Sequence, residues 1–172
     1  TFFMLKYKKS DENGGEIVIY YAIGLIVLIL DQLTKWIIVR QMHIGESIEI
    51  IPHFLYITSA RNTGAAWSIL EGQMWFFYLV TVVVLAIVIF YMQKYGRHRP
   101  FLGVALGLVI GGTLGNFIDR LFRGSVVDFI HVFLGNYSYP VFNVADSSLV
   151  IGAILIVIFT LYDQKKVNAH EQ

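Results

Sequence analysis

Four acidic residues of this 172-residue chain lie in or beside long apolar stretches: Asp31, Asp119, Asp128 and Asp146. An ionised carboxylate is costly there, and a functional role is the default expectation. Asp128 and Asp146 are the hardest to explain without chemistry, each being embedded in apolar sequence. Asp128 lies between Val126-Val127 and Phe129-Ile130, and Asp146 follows Val144-Ala145. No Lys or Arg falls between them in sequence to neutralise either one. If the intervening segment folds back, two carboxylates meet at a half-dry site, one pKa rises and the pair shares a proton. Such a pair activates water with one member while the other protonates a carbonyl or a leaving amine. A plainer alternative is that Asp146 caps a helix and Asp128 caps a short turn. Spacing alone leaves both open.

The other polar residues suit positioning better than chemistry. Asp31 and Lys35 are four apart, so on a helix they share a face and can neutralise each other. They either hold the first span against its neighbours or touch substrate. Asn116 and Asp119, three apart, follow Gly111-Gly112-x-x-Gly115. These glycines read first as a site of close helix approach in lipid and only weakly as a phosphate loop. Asp119 is placed to accept loop amides and order the turn towards Asp128. Arg120 is either an interfacial charge or a carboxylate partner. Asn143, one turn before Asp146, can hydrogen-bond without offsetting a charge. The five histidines (His43, His53, His98, His131 and His170) show no metal-ligand spacing. Ser68, Ser125, Ser147 and Ser148 lack a nucleophile-elbow frame. The absence of Cys excludes disulfides, thiolate nucleophiles and Cys-ligated zinc. The sequon Asn136-Tyr-Ser is the kind of short match that arises by chance.

The elements that must carry these residues are membrane spans. Charged residues make up only 15% of the chain and hydrophobic ones 56%, with mean hydropathy +0.65. A soluble domain carries about 25% charged residues, so composition points to one small integral membrane domain. Thirteen Lys/Arg against twelve Asp/Glu give a net charge of +1, so there is no basic field for nucleic acid. Four segments are long enough to cross about 30 Å of hydrocarbon. They cover about 17–39, 72–93, 101–118 and 142–162, and the first is interrupted by Asp31, Gln32 and Lys35. That first segment lacks a cleavage pattern and is expected to stay as an anchor. Residues 1–16 are expected to form a polar tail, in part extraneous to the domain, and 163–172 a C-terminal tail.

Within 44–70, Glu46-Ser-Ile-Glu-Ile and Phe54-Leu-Tyr-Ile-Thr alternate polar and apolar residues around Pro52. This pattern predicts a small sheet or hairpin on the membrane surface. The segment 119–141 is rich in aromatics and reads as an interfacial layer. Eight basic residues fall in the N-tail, the 94–99 loop and the C-tail, against Arg40, Arg61, Arg120 and Arg123 on the other side. The termini are therefore expected on the cytoplasmic side and the acidic cluster near the outer face.

Taken together, the sequence resembles lipoprotein signal peptidase (signal peptidase II), the bacterial membrane aspartyl peptidase family. The resemblance covers about 17–162 and rests on five blocks: Asp31-Gln-Leu-Thr-Lys35, Arg61-Asn-Thr-Gly-Ala-Ala-Trp67, Gly111-Gly-Thr-Leu-Gly-Asn-Phe-Ile-Asp-Arg120, Val126-Val-Asp-Phe129 and Phe142-Asn-Val-Ala-Asp146. It implies a membrane all-α bundle of four transmembrane helices with a small extracytoplasmic β-cradle, in the bacterial cytoplasmic membrane. It implies that Asp128 and Asp146 are the catalytic pair. Asp31, Lys35, Asn62, Gly64, Asn116, Asp119, Arg120 and Asn143 would be supporting or substrate-contacting positions. The implied substrate is a diacylglyceryl-modified prolipoprotein cut before its lipidated Cys. Globomycin-type peptides would be inhibitors, membrane lipid the surroundings, and no metal or organic cofactor is implied. Two competing classes are a small proton-coupled transporter using the same carboxylates as a relay and a non-enzymatic lipoprotein-binding membrane protein. Spans two and three carry no charge, and the acids gather at one face, which is a poor layout for a relay.

Overall fold

A computed structural model describes residues 14–64 and 70–170, with side chains over 17–64 and 70–163. The 1–13 part of the expected tail and the Ala-Ala-Trp end of the Arg61 block lie outside the described residues. Among the described residues the elements are α1 (Gly14–Gln41), β1 (Ser47–Ile51), β2 (Leu55–Asn62), α2 (Met74–Tyr95), α3 (Pro100–Arg123), β3 (Val126–Leu134), β4 (Tyr137–Ser138) and α4 (Val144–His170), with one 3₁₀ turn at Gly96–His98. Four helices are long and apolar enough to cross a membrane.

The third helix is the centre of the bundle. Within its apolar span 61% of residues are buried, against 17%, 11% and 17% in the other three. Its glycines explain the difference, because helices in lipid gain by bringing backbones together. A Cβ on Gly107 would collide with the Tyr20 carbonyl of α1, and one on Gly112 with Ser148 Oγ of α4. Pro100 starts α3, where its missing N–H costs nothing, and Gly124 ends it at φ +68°. The outer helices keep apolar side chains exposed, including Leu25, Ile29, Val83, Ile87, Ile154 and Leu161. In water such faces would be a liability; in hydrocarbon they are the lipid contact.

The sheet is larger than the alternating pattern suggests. The β1–β2 hairpin forms as expected around Pro52, with His53 at φ 57° in the turn. The 119–141 segment is not an aromatic layer alone, because it supplies β3 and β4 and completes an antiparallel sheet in the order β1-β2-β3-β4. Asp128 therefore sits on a strand, opposite Ala60, and not in a short turn. Val126-Val-Asp-Phe reads as apolar because this strand is buried on both faces where it meets the bundle. Val127 and Phe129 pack with Ile38 of α1 and with Met42 just beyond its end, and that cluster fixes the sheet on the helix ends. Helix boundaries also differ from those expected. The third span runs on to Arg123, which puts Asp119 and Arg120 on the helix, and α4 continues to His170 through most of the expected tail. No Pro or Gly interrupts 153–172 to end it earlier.

Candidate active site

Three elements deliver the polar residues to one place. Strand β3 brings Asp128, and its neighbour β2 brings Asn62, whose side-chain NH₂ donates to Asp128 Oδ2 at 3.1 Å. The Asn62 oxygen in turn accepts the Gly64 N–H at 2.9 Å, which fixes its amide. The first turn of α4 brings Asp146. Asn143 caps that helix reciprocally: its oxygen accepts the Asp146 N–H at 2.9 Å, and its own N–H donates to Asp146 Oδ2 at 3.1 Å. This is a capping box with Asp as the acidic partner. Asn143 has one group left, its side-chain NH₂, which donates to Asp128 Oδ1 at 2.7 Å. From α3, Asn116 donates its NH₂ to Asp146 Oδ1 at 2.7 Å. Each of the two carboxylates thus accepts from two neutral donors.

The carboxylates open onto one cavity of about 470 Å³. Asn62, Gly64, Asn116, Arg120, Asp128 and Asp146 line its polar side, while Phe77, Val80, Val84, Val141 and Leu149 line its apolar side. Asp128 is only 3% exposed. Burial pushes its carboxyl up to about 7, and the negative charge of Asp146 adds to the rise. Hydrogen bonds from Asn62 and Asn143 and the positive charge of Lys35 pull the other way. A carboxyl so poised holds a proton at neutral pH and can give it up.

Four of the ten residues singled out in the sequence stand behind the cavity: Asp31, Lys35, Asp119 and Asn143. Lys35 bridges Asp31 at 2.9 Å and Asp119 at 3.0 Å, all three with no exposure. Arg120 stays in the cavity wall. Its guanidinium lies 4.4 Å above the Phe77 ring and donates to the Gly64 carbonyl at 3.2 Å. Among the described residues it has no carboxylate within ion-pair distance. Two participants were not singled out in the sequence. Arg123 pairs with Asp119 one turn earlier, a spacing that could have revealed it. Phe77 lies on the uncharged second span, where nothing marked it.

The sequence model of the family described as Signal peptidase (SPase) II matches residues 23–162. Two solved bacterial membrane enzymes are similar over most of the chain. One, determined by the in meso method at 2.3 Å, is 49% identical with a TM-score of 0.82, covering 86% of this chain and 90% of its own. The other, determined at 1.9 Å, is 50% identical with a TM-score of 0.77, covering 84% of this chain and 93% of its own. With four membrane-crossing helices and a match over most of its length, the chain belongs to the signal peptidase II family of multi-pass membrane peptidases.

Proposed function

We propose that the chain is an aspartyl endopeptidase that removes the signal peptide from diacylglyceryl-modified prolipoproteins, cutting just before the lipidated Cys. The observation that carries this reading is the joint hold of Asn143 on Asp128 and Asp146, whose carboxylates face one cavity. Substrate enters sideways, because its acyl chains and signal helix already lie in the bilayer. Asp146, ionised, takes a proton from a water; the oxygen attacks the scissile carbonyl carbon as Asp128 gives its proton to the carbonyl oxygen. Collapse of the tetrahedral species breaks the C–N bond, with the proton on Asp146 passing to the leaving amine and the hydroxyl proton returning to Asp128. No acyl-enzyme forms. Arg120 and the Asn62 and Asn116 amides can bind the peptide backbone without taking part in proton transfer.

The excess of basic residues in the tails and the 94–99 loop supports cytoplasmic termini and an active site near the outer face of a bacterial cytoplasmic membrane. Globomycin-type peptides would occupy the same cavity. The test is to incubate purified enzyme with a diacylglyceryl-modified precursor in H₂¹⁸O and weigh both products. The expected products are a free lipidated Cys amine and one ¹⁸O in the carboxylate of the released signal peptide. A precursor left intact, or cut elsewhere, overturns the assignment.

A further inference from the structure

Among the described residues Lys35 is the only fully buried cation, and it does not line the cavity. An ammonium has three N–H groups and no acceptor. Here the three meet Asp31 Oδ2 at 2.9 Å, Asp119 Oδ2 at 3.0 Å and Asn116 Oδ1 at 2.9 Å. Each acceptor makes a second bond, and the second bonds share a pattern. Asp31 Oδ1 accepts the Ala145 N–H at 2.9 Å, the residue immediately before Asp146. Asp119 Oδ2 accepts the Val127 N–H at 3.0 Å, the residue immediately before Asp128. Asn116, its oxygen claimed by the ammonium, turns its NH₂ onto Asp146 Oδ1.

We propose that Lys35 is a positioning residue that sets the placement of both aspartates at once, through Asp31 to the start of α4, through Asp119 to β3, and through Asn116 to the Asp146 carboxylate. The inference deepens the aspartyl-peptidase reading and rests on it. Strand β3 and helix α4 are separate elements whose active carboxylates must be held within about 0.5 Å of a working geometry. Neither element alone can do that. A single saturated cation on α1 can, because it pulls on the backbone beside each aspartate. Its charge is balanced by Asp31, while Asp119 is balanced by Arg123, so the network behind the site is neutral as a whole. With every N–H engaged, Lys35 has none left for substrate.

The test compares purified wild type, Lys35→Met, and Lys35→Met combined with Asp31→Asn. The double variant removes one charge of each sign and keeps an oxygen for the Ala145 N–H, so it folds where the single variant leaves a buried charge unpaired. Asp128→Asn serves as the control for the catalytic reading. Both Lys35 variants are expected to lose kcat by about 100-fold with KM within about threefold. With kcat counted per folded enzyme, from the fraction that stays monodisperse in size-exclusion chromatography, loss of folded protein alone does not produce this split of kcat from KM. A folded double variant with near-normal kcat overturns the proposal. So does a rise in KM at constant kcat, which would make Lys35 a substrate contact. Failure of both variants to fold overturns it too, in favour of a purely structural role. If Asp128→Asn keeps its activity, the aspartyl reading fails on its own account, whatever the Lys35 variants do.

Discussion

Asn143 and Asp146 hold each other at the start of α4, the oxygen of Asn143 on the Asp146 N–H at 2.9 Å and the Asn143 N–H on Asp146 Oδ2 at 3.1 Å. Capping of this kind is a local device for starting a helix. Here the same asparagine turns its side-chain NH₂ onto Asp128, 2.7 Å away on a strand. The helix cap and the hold on the two carboxylates are one set of bonds. A helix-capping role for Asp146 is therefore compatible with its membership of an acidic pair.

Asn143→Ala should show both roles. Loss of a cap of this type costs about 1 kcal/mol, seen as a lower melting temperature. Loss of a shared donor to Asp128 should lower kcat by about 100-fold, more than the stability change explains. A variant with a depressed melting temperature and wild-type kcat would leave only the cap.

Asp128 makes stability depend on pH in a direction opposite to that of a salt-bridged acid. Its folded carboxyl titrates near 7, above the unfolded value, so the native state binds the extra proton. Stability from this group is present at acid pH and is lost as pH rises from about 4 through 7. Asp128→Asn, which cannot ionise, should gain on wild type across that window, by at most about 4 kcal/mol at alkaline pH. Melting temperatures of the two proteins at pH 5 and pH 8 check it: the gap should widen at pH 8, and an equal gap at both would contradict the account.

Turnover should follow the same group. With Asp128 as the proton donor, kcat/KM falls as pH rises above about 7, because the donor form of the free enzyme is lost. A plateau extending past pH 9 would require a different acid.

Arg120 offers a contrast. It lines the cavity and stacks on Phe77 with no carboxylate partner among the described residues. Arg120→Lys keeps the charge but loses the planar, multi-donor geometry. It should raise KM by about tenfold and change kcat less.

Gly107→Ala probes the bundle itself. The added methyl would press on the Tyr20 carbonyl of α1, which is backbone and cannot swing away. A loss of about 1–3 kcal/mol, read as a lower melting temperature, is expected, with little effect on KM.

The spans were legible because lipid imposes one rule on every residue facing it, and 20-residue apolar runs obey that rule visibly. The first hairpin was legible because polar and apolar residues alternate in sequence on either side of Pro52, although β1 is exposed along its whole length. Strand β3 was not, since burial at Val126–Phe129 erased the alternation that marks a strand. The acidic residues stood out by their cost in an apolar setting, but their connections could not be read. That Asp31 and Asp119 bond the amides beside Asp146 and Asp128 depends on how α1 and α3 pack, which no local pattern records. Phe77 joined the site only through the fold, as one apolar residue among many on α2.

The most direct test of the account is cleavage of a diacylglyceryl-modified precursor by purified Asp128→Asn and Asp146→Asn enzymes beside wild type. Both variants are expected to be folded and to lose turnover by about 10⁴-fold, as enzymes deprived of an essential catalytic group do. Near-normal cleavage by either folded variant would contradict the claim that these two carboxylates perform the hydrolysis.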